Sequence, residues 1–123
     1  MSHHILIIED DTFLRDLYNE MLTDNGFEVD TAVDGEEGLS KISTNEYNLV
    51  LLDIMMPKKD GLQVLRDIPK EKREVPVVMF TNLGQDQVIK DALAAGASGY
   101  LIKSSLDPDQ VLSKVKEFMK TKE

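Results

Sequence analysis

The sequence predicts an α/β fold: a doubly wound, five-stranded parallel sheet of strand order 2-1-3-4-5 with five helices, built as one domain from residues 1–123. Three observations carry this. Short apolar runs recur at Ile5–Ile8, Leu49–Leu52, Val77–Phe80 and Tyr100–Ile102, and such unbroken runs suit strands buried on both faces. Segments with apolar residues at helical offsets separate them. Strict alternation of the two, joined by right-handed crossovers, yields a parallel sheet with helices on both faces.

The elements follow in order. After the first run, Leu14, Leu17, Tyr18, Met21 and Leu22 form one helix face, with Asp11 or Thr12 as its cap and Gly26 beyond its end. Glu28–Ala32 is a short second strand, and Asp34-Gly35 opens a second helix carrying Leu39 and Ile42. Beyond the third strand, residues 54–61 form a loop punctuated by Pro57 and Gly61. Asp60 caps the helix that follows, which bears Leu62, Leu65 and Ile68. A charged stretch from Pro69 to Glu74 precedes the fourth strand. The helix Asp86–Ala95 is expected to turn Val88, Ile89, Ala92 and Leu93 inward, with Gly96 as its stop. The last strand, Gly99–Ile102, precedes a helix from about Asp107 with Val111, Leu112, Val115, Phe118 and Met119 on its apolar face.

Composition narrows the function. The 123 residues suffice for one core without staples. Cysteine is absent, so neither disulfides nor thiolate metal sites arise. His3 and His4 are the only histidines, and their place at a fraying start gives them no expected role and leaves no imidazole base. There is no basic-then-apolar leader pattern and no run near 18 apolar residues, so a cytoplasmic location is expected, with neither secretion nor a membrane span. A net charge of -9, with cations scattered among acids, repels nucleic-acid phosphates. Direct DNA or RNA binding is not expected.

The informative feature is how the runs end: on Glu9-Asp10-Asp11, on Asp53, on Thr81 and on Lys103. In a parallel sheet these ends share one edge. Local pattern leaves the strand order open; 2-1-3-4-5 is adopted because it sets the first strand beside the third and brings Glu9 and Asp10 next to Asp53. Carboxylates forced together need a hard cation to stay ionised, and Mg²⁺ suits an all-oxygen set that keeps open positions. Asp10 and Asp53 as direct ligands, a backbone carbonyl near Met55, and Glu9 through water make a reasonable shell. Without Cys or an internal His, a carboxylate is the credible nucleophile, and Asp53 is the best placed for a phosphoryl group. Phosphoryl transfer needs charge compensation more than acid or base, which Lys103 and Thr81 supply beside the cation. Lys103 also pairs with Asp53 in the empty state. Asp11 and Asp60 are read as helix caps. Thr81 as a plain β-former and Lys103 as a surface charge are equally good readings in isolation; their joint placement favours the site.

The segments Ile7–Asp11, Leu51–Pro57 through Asp60-Gly61, Phe80-Thr81, Ala95–Ala97 and Tyr100–Lys103 resemble the motifs of the response regulator receiver domain of two-component signalling. The resemblance spans nearly the whole chain. It implies a flavodoxin-like fold, phosphorylation of Asp53 by a histidine kinase or phosphotransfer protein, and Mg²⁺ held by Glu9, Asp10, Asp53 and the Met55 carbonyl. It further implies that Thr81 and Lys103 bind the phosphoryl group, that Thr81 and Tyr100 form the switch, and that a downstream protein target docks on the face of the fourth helix, last strand and last helix. On this reading the chain is no enzyme beyond its own phosphorylation and dephosphorylation.

Two positions depart from the family pattern. Ser104 follows Lys103 where the family has proline in a cis peptide; a non-proline cis bond costs about 3–4 kcal/mol, so a trans peptide and a redirected Lys103 are expected. Asn82 follows Thr81 where a small residue is usual, and is expected to narrow access to Asp53. Apolar Met55 and Leu83 flank the path of attacking water and imply a long-lived acyl phosphate.

Other functions fit less well. A phosphatase of the haloacid dehalogenase type wants an aspartate two residues after its nucleophile, where this chain has Met55. A flavin binder wants a Ser/Thr/Gly-rich loop after the first strand, and Glu9-Asp10-Asp11 repels a phosphate. An adaptor acting by contact alone leaves the complete set of acidic, aspartate, threonine and lysine positions unexplained. No output domain follows Lys120–Glu123, so the chain is read as a stand-alone receiver or as a piece of a larger regulator.

Overall fold

All five expected strands form: β1 (His4–Ile8), β2 (Glu28–Ala32), β3 (Leu49–Leu52), β4 (Val77–Thr81) and β5 (Gly99–Ile102). The computed structural model, which describes residues 3–120, sets them in one parallel sheet of order β2-β1-β3-β4-β5. The helices are α1 (Thr12–Asp24), α2 (Gly35–Thr44), α3 (Gly61–Asp67), α4 (Asp86–Ala94) and α5 (Pro108–Lys120), with short 3-10 turns at Lys70–Lys72 and Lys103–Ser105.

The period-2 alternation of strand side chains divides the core between the two faces. Ile5, Ile7, Leu49, Leu51, Val78, Phe80 and Leu101 pack under α1 and α5, where Tyr18, Leu22, Val111, Val115 and Met119 meet them. Leu6, Ile8, Val50, Leu52, Val77 and Met79 pack on the other face against Ile42, Val64, Leu65 and Ala92 of α2, α3 and α4. Both faces of the sheet being covered, β3 and β4 are buried throughout and β1 from Ile5 onward.

The starts of α1, α2, α3 and α5 are fixed by side chains that satisfy otherwise orphaned N–H groups. Asp11 accepts from Leu14 N at 3.0 Å, Asp34 from Glu37 N at 2.8 Å and Asp60 from Gln63 N at 2.9 Å. Asp107 and Gln110 cap α5 reciprocally, each side chain accepting from the other's backbone N–H at 2.9 Å. Gly26 and Gly96 leave α1 and α4 at φ of 93° and 112°, conformations that favour glycine.

Four expectations need correction. Strand β1 begins at His4, and this histidine is engaged rather than frayed: its Nε2 lies 3.0 Å from Asp30 Oδ2 and its ring packs on Tyr47 at 4.6 Å between centroids. Tyr47 donates its hydroxyl to the same carboxylate at 2.8 Å. Leu93 is 49% exposed, because the inward stripe of α4 centres on Ala92. Helix α4 itself stops at Ala94, one residue short of the expected end. Ile68 is buried but lies past the end of α3, where its backbone has turned extended.

Candidate functional site

The C-terminal edge of the sheet gathers the acids. Because β1 and β3 pair with Ile8 opposite Leu52, the next residues of the two strands, Glu9 and Asp53, emerge side by side. The Asp53 N–H donates to Ile8 O at 3.1 Å and the Glu9 N–H to Ala32 O at 3.0 Å, so both backbones are still held by the sheet. Glu9, Asp10 and Asp53 each offer a carboxylate oxygen within 4.8 Å of the others. Glu9 is 3% and Asp53 6% exposed, whereas Asp10 faces solvent.

Lys103, entering from the end of β5, neutralises the buried pair. Its Nζ donates to Asp53 Oδ2 at 3.1 Å and pairs with Glu9 Oε1. The ammonium also lies over the Phe80 ring, 5.7 Å from its centroid. Burial alone would lower the Lys103 pKa, but the Glu9 hydrogen bond and the Asp53 charge outweigh it and hold the amine above its ordinary value. Burial dominates at Glu9 and raises its pKa, opposed by Lys103 and by the Asp11 N–H, which donates to Glu9 Oε2 at 3.1 Å. Lys103 therefore remains the cation around which the acids are arranged.

The expected redirection of Lys103 does not occur. No cis peptide is present among the described residues, and a trans Lys103–Ser104 bond still delivers the ammonium to Asp53, because the 3-10 turn Lys103–Ser105 begins directly at the strand end. Asn82 is exposed, and its Oδ1 accepts from Ser104 N at 2.9 Å, which ties it to the β5–α5 loop.

Thr81 ends β4, is 1% exposed, and its Oγ1 accepts from Leu83 N at 3.4 Å. Tyr100 is half-buried against the face that carries α4 and donates its hydroxyl to Leu83 O at 2.6 Å. Burial and then the Asp53 charge raise the Tyr100 pKa, which keeps the phenol a donor. Thr81 and Tyr100 thus meet the same residue, Leu83, from its two backbone groups. Met55 is 64% exposed and lines a groove with Asp10, Ile54, Met56, Pro57 and Asp60.

Sequence reasoning missed two supports of this site. Arg15, one turn into α1, donates to Glu9 O at 2.9 Å and Asp10 O at 3.4 Å, fixing the acidic loop from behind. Its offset from Asp11 was the available signal, since it places the guanidinium over the helix start. Lys58 sits at φ 69° in the loop after β3, with its Nζ 3.5 Å from Asp34 Oδ2. Gly61 lets that loop close: a Cβ there would meet Asp53 O at 2.1 Å.

The donor set fits a hard divalent ion: three convergent carboxylates, oxygen only, one of them open to solvent. A softer metal would want imidazole or thiolate, and the sequence has no Cys and no His beyond His4.

Comparison with known proteins agrees with this geometry. The family model described as response regulator receiver domain matches residues 5–116. The transcriptional regulatory protein DltR of Streptococcus agalactiae is 36% identical over 112 residues, covering 91% of this chain and 50% of the relative, so the chain spans about half of that regulator's length. A receiver domain protein (CheY-like) from Methanospirillum hungatei superposes with a TM-score of 0.93 at 32% identity, covering 98% of this chain and 96% of the other. The CheY of Borrelia burgdorferi, in a complex with CheX, BeF3 and Mg²⁺, does so with a TM-score of 0.87 at 36% identity, covering 94% and 87%.

Proposed function

The chain belongs to the response regulator receiver family, and from that premise we propose that it is a phosphorylation-activated signalling switch with Asp53 as phosphoacceptor. The observation that carries this is the Lys103 ammonium held against Asp53 at the sheet edge, beside two further carboxylates. A carboxylate oxygen of Asp53 attacks phosphorus, the P–N bond of a kinase or phosphotransfer-protein phosphohistidine breaks, and the leaving imidazole takes up a proton. Glu9, Asp10, Asp53 and the Met55 backbone carbonyl would hold Mg²⁺. When bound, that ion neutralises charge on the transferring oxygens. Lys103 and the Thr81 hydroxyl bind the phosphoryl group, and the chain's own Asp53 is the acceptor.

The new group adds roughly -1.5 to -2 charge and three acceptor oxygens. Drawing the Thr81 hydroxyl toward it breaks the contact with Leu83 N, and Tyr100, bonded to Leu83 O, responds. The shift alters the surface of α4, β5 and α5, where a downstream protein target docks. Neither nucleic acid nor membrane is bound directly: the net charge is -9, and among the described residues no helix is long and apolar enough to cross a membrane. We place the protein in the cytoplasm as a member of the receiver family. Mg²⁺ and the protein CheX accompany the CheY of Borrelia burgdorferi, which supports both the metal and a protein-docking surface.

Phosphoramidate, which carries the same kind of P–N bond as phosphohistidine, tests the reading. A hydroxylamine-labile phosphoryl group on the Asp53 peptide, prevented by EDTA, is the expected result. A hydroxylamine-stable group, or labelling indifferent to EDTA, overturns it.

A further inference from the structure

The parallel ladder between β4 and β5 ends where Thr81 faces Ile102. Asn82 and Lys103, the next residues, have left the sheet. The 3-10 turn Lys103–Ser105 has no capping side chain of its own, although the first N–H groups of any helical turn lack internal partners. The Ser104 N–H is met from the neighbouring loop, by Asn82 Oδ1 at 2.9 Å. The bond joins the two loops that carry the phosphoryl-binding groups, Thr81 on one side and Lys103 on the other. Only a residue with a backbone N–H at 104 can donate it; proline cannot.

We propose that the Asn82–Ser104 hydrogen bond is a clasp that positions Lys103, making Asn82 a positioning residue for phosphoryl transfer to Asp53. Lys103 carries a long, flexible side chain whose aim at Glu9 and Asp53 depends on where its backbone starts. Glu9 and Asp53 hold the ammonium end, and the clasp holds the backbone end through the adjacent peptide. Asn82 does this from the strand end that also supplies Thr81, so the two phosphoryl-binding groups keep a fixed separation. The inference rests on the phosphoacceptor reading for its consequence, but not for the bond itself.

Four variants test it: Asn82→Leu, which keeps the volume and loses the acceptor; Ser104→Pro, which loses the donor; the double variant; and Ser104→Ala, which keeps the N–H. Phosphoryl uptake from phosphoramidate should slow about three- to tenfold in the first two, the factor one net hydrogen bond is worth. The double variant should be no slower than either, and Ser104→Ala should match the wild type. Ser104 amide exchange should quicken in Asn82→Leu, and the Lys103 Nζ resonance should move toward those of exposed lysines. Unchanged exchange at Ser104 and an unmoved Lys103 resonance in Asn82→Leu overturn the clasp, even in a chain that takes up phosphate normally. A wild type that takes up none defeats the phosphoacceptor reading instead, while the exchange data still decide the clasp.

Discussion

The Lys103 Nζ lies 3.1 Å from Asp53 Oδ2, joining two strand ends that are 50 residues apart in sequence. With Glu9 bound to the same ammonium, this is a largely buried triad of one cation and two acids. Removing the cation leaves uncompensated carboxylates on two buried residues. Lys103→Met should therefore lower the unfolding free energy by about 3 kcal/mol, read as a shift in urea midpoint with unchanged slope. Mg²⁺ should recover much of the loss, since it neutralises the same acids; a variant as stable as the wild type without Mg²⁺ would show the triad to be energetically idle.

Gly61→Ala probes the loop that frames Asp53. The added methyl would lie 2.1 Å from Asp53 O, a clash with backbone that no rotamer relieves. A cost of about 1–3 kcal/mol follows from overpacking, with slower phosphoryl uptake because the strain falls on the acceptor's own peptide. Thermal unfolding measures the first and intact-mass kinetics the second. Full stability in the variant would mean that the loop moves aside freely.

Acid should destabilise the protein partly through Asp34. Its pKa is lowered chiefly by the Glu37 N–H it accepts as the α2 cap; burial opposes this, and the Lys58 charge and hydrogen bond add to the lowering. A folded pKa below the unfolded value, about 3.9, means that the unfolded chain binds more protons in that interval. The stabilisation is therefore present above about pH 4 and disappears as pH falls through the folded pKa. Asn caps helices as well as Asp does. Asp34→Asn should thus fold normally at pH 7 and show a shallower loss of stability below about pH 4; identical acid-unfolding curves contradict the assignment.

The acyl phosphate should be long-lived. Met55, exposed beside Asp10, and Leu83, committed through both backbone groups to Thr81 and Tyr100, give attacking water neither a base nor an orienting acceptor side chain. Decay of the phosphorylated mass peak over minutes or longer is expected. Complete hydrolysis within seconds contradicts it.

These particulars show what local sequence carries. Strand positions, the caps Asp11 and Asp60, and the meeting of Glu9, Asp10, Asp53 and Lys103 were legible, because apolar runs and the polar residues that end them obey the short-range rules of a parallel sheet. The His4–Asp30–Tyr47 cluster was not: it is made across strand pairing and the α2–β3 connection, between residues with no common spacing. The partner of Asn82 was hidden for the same reason, since a loop-to-loop hydrogen bond leaves no periodic trace. Leu93 misled because a short helix tolerates several phases of its apolar stripe, and packing selects the one centred on Ala92.

Intact-mass analysis with acetyl phosphate and Mg²⁺, wild type beside Asp53→Asn, tests the central claim most directly. The wild type should gain a single phosphoryl increment and the variant none. Equal gain in both, or none in the wild type with Mg²⁺ present, would contradict Asp53 as the phosphoacceptor.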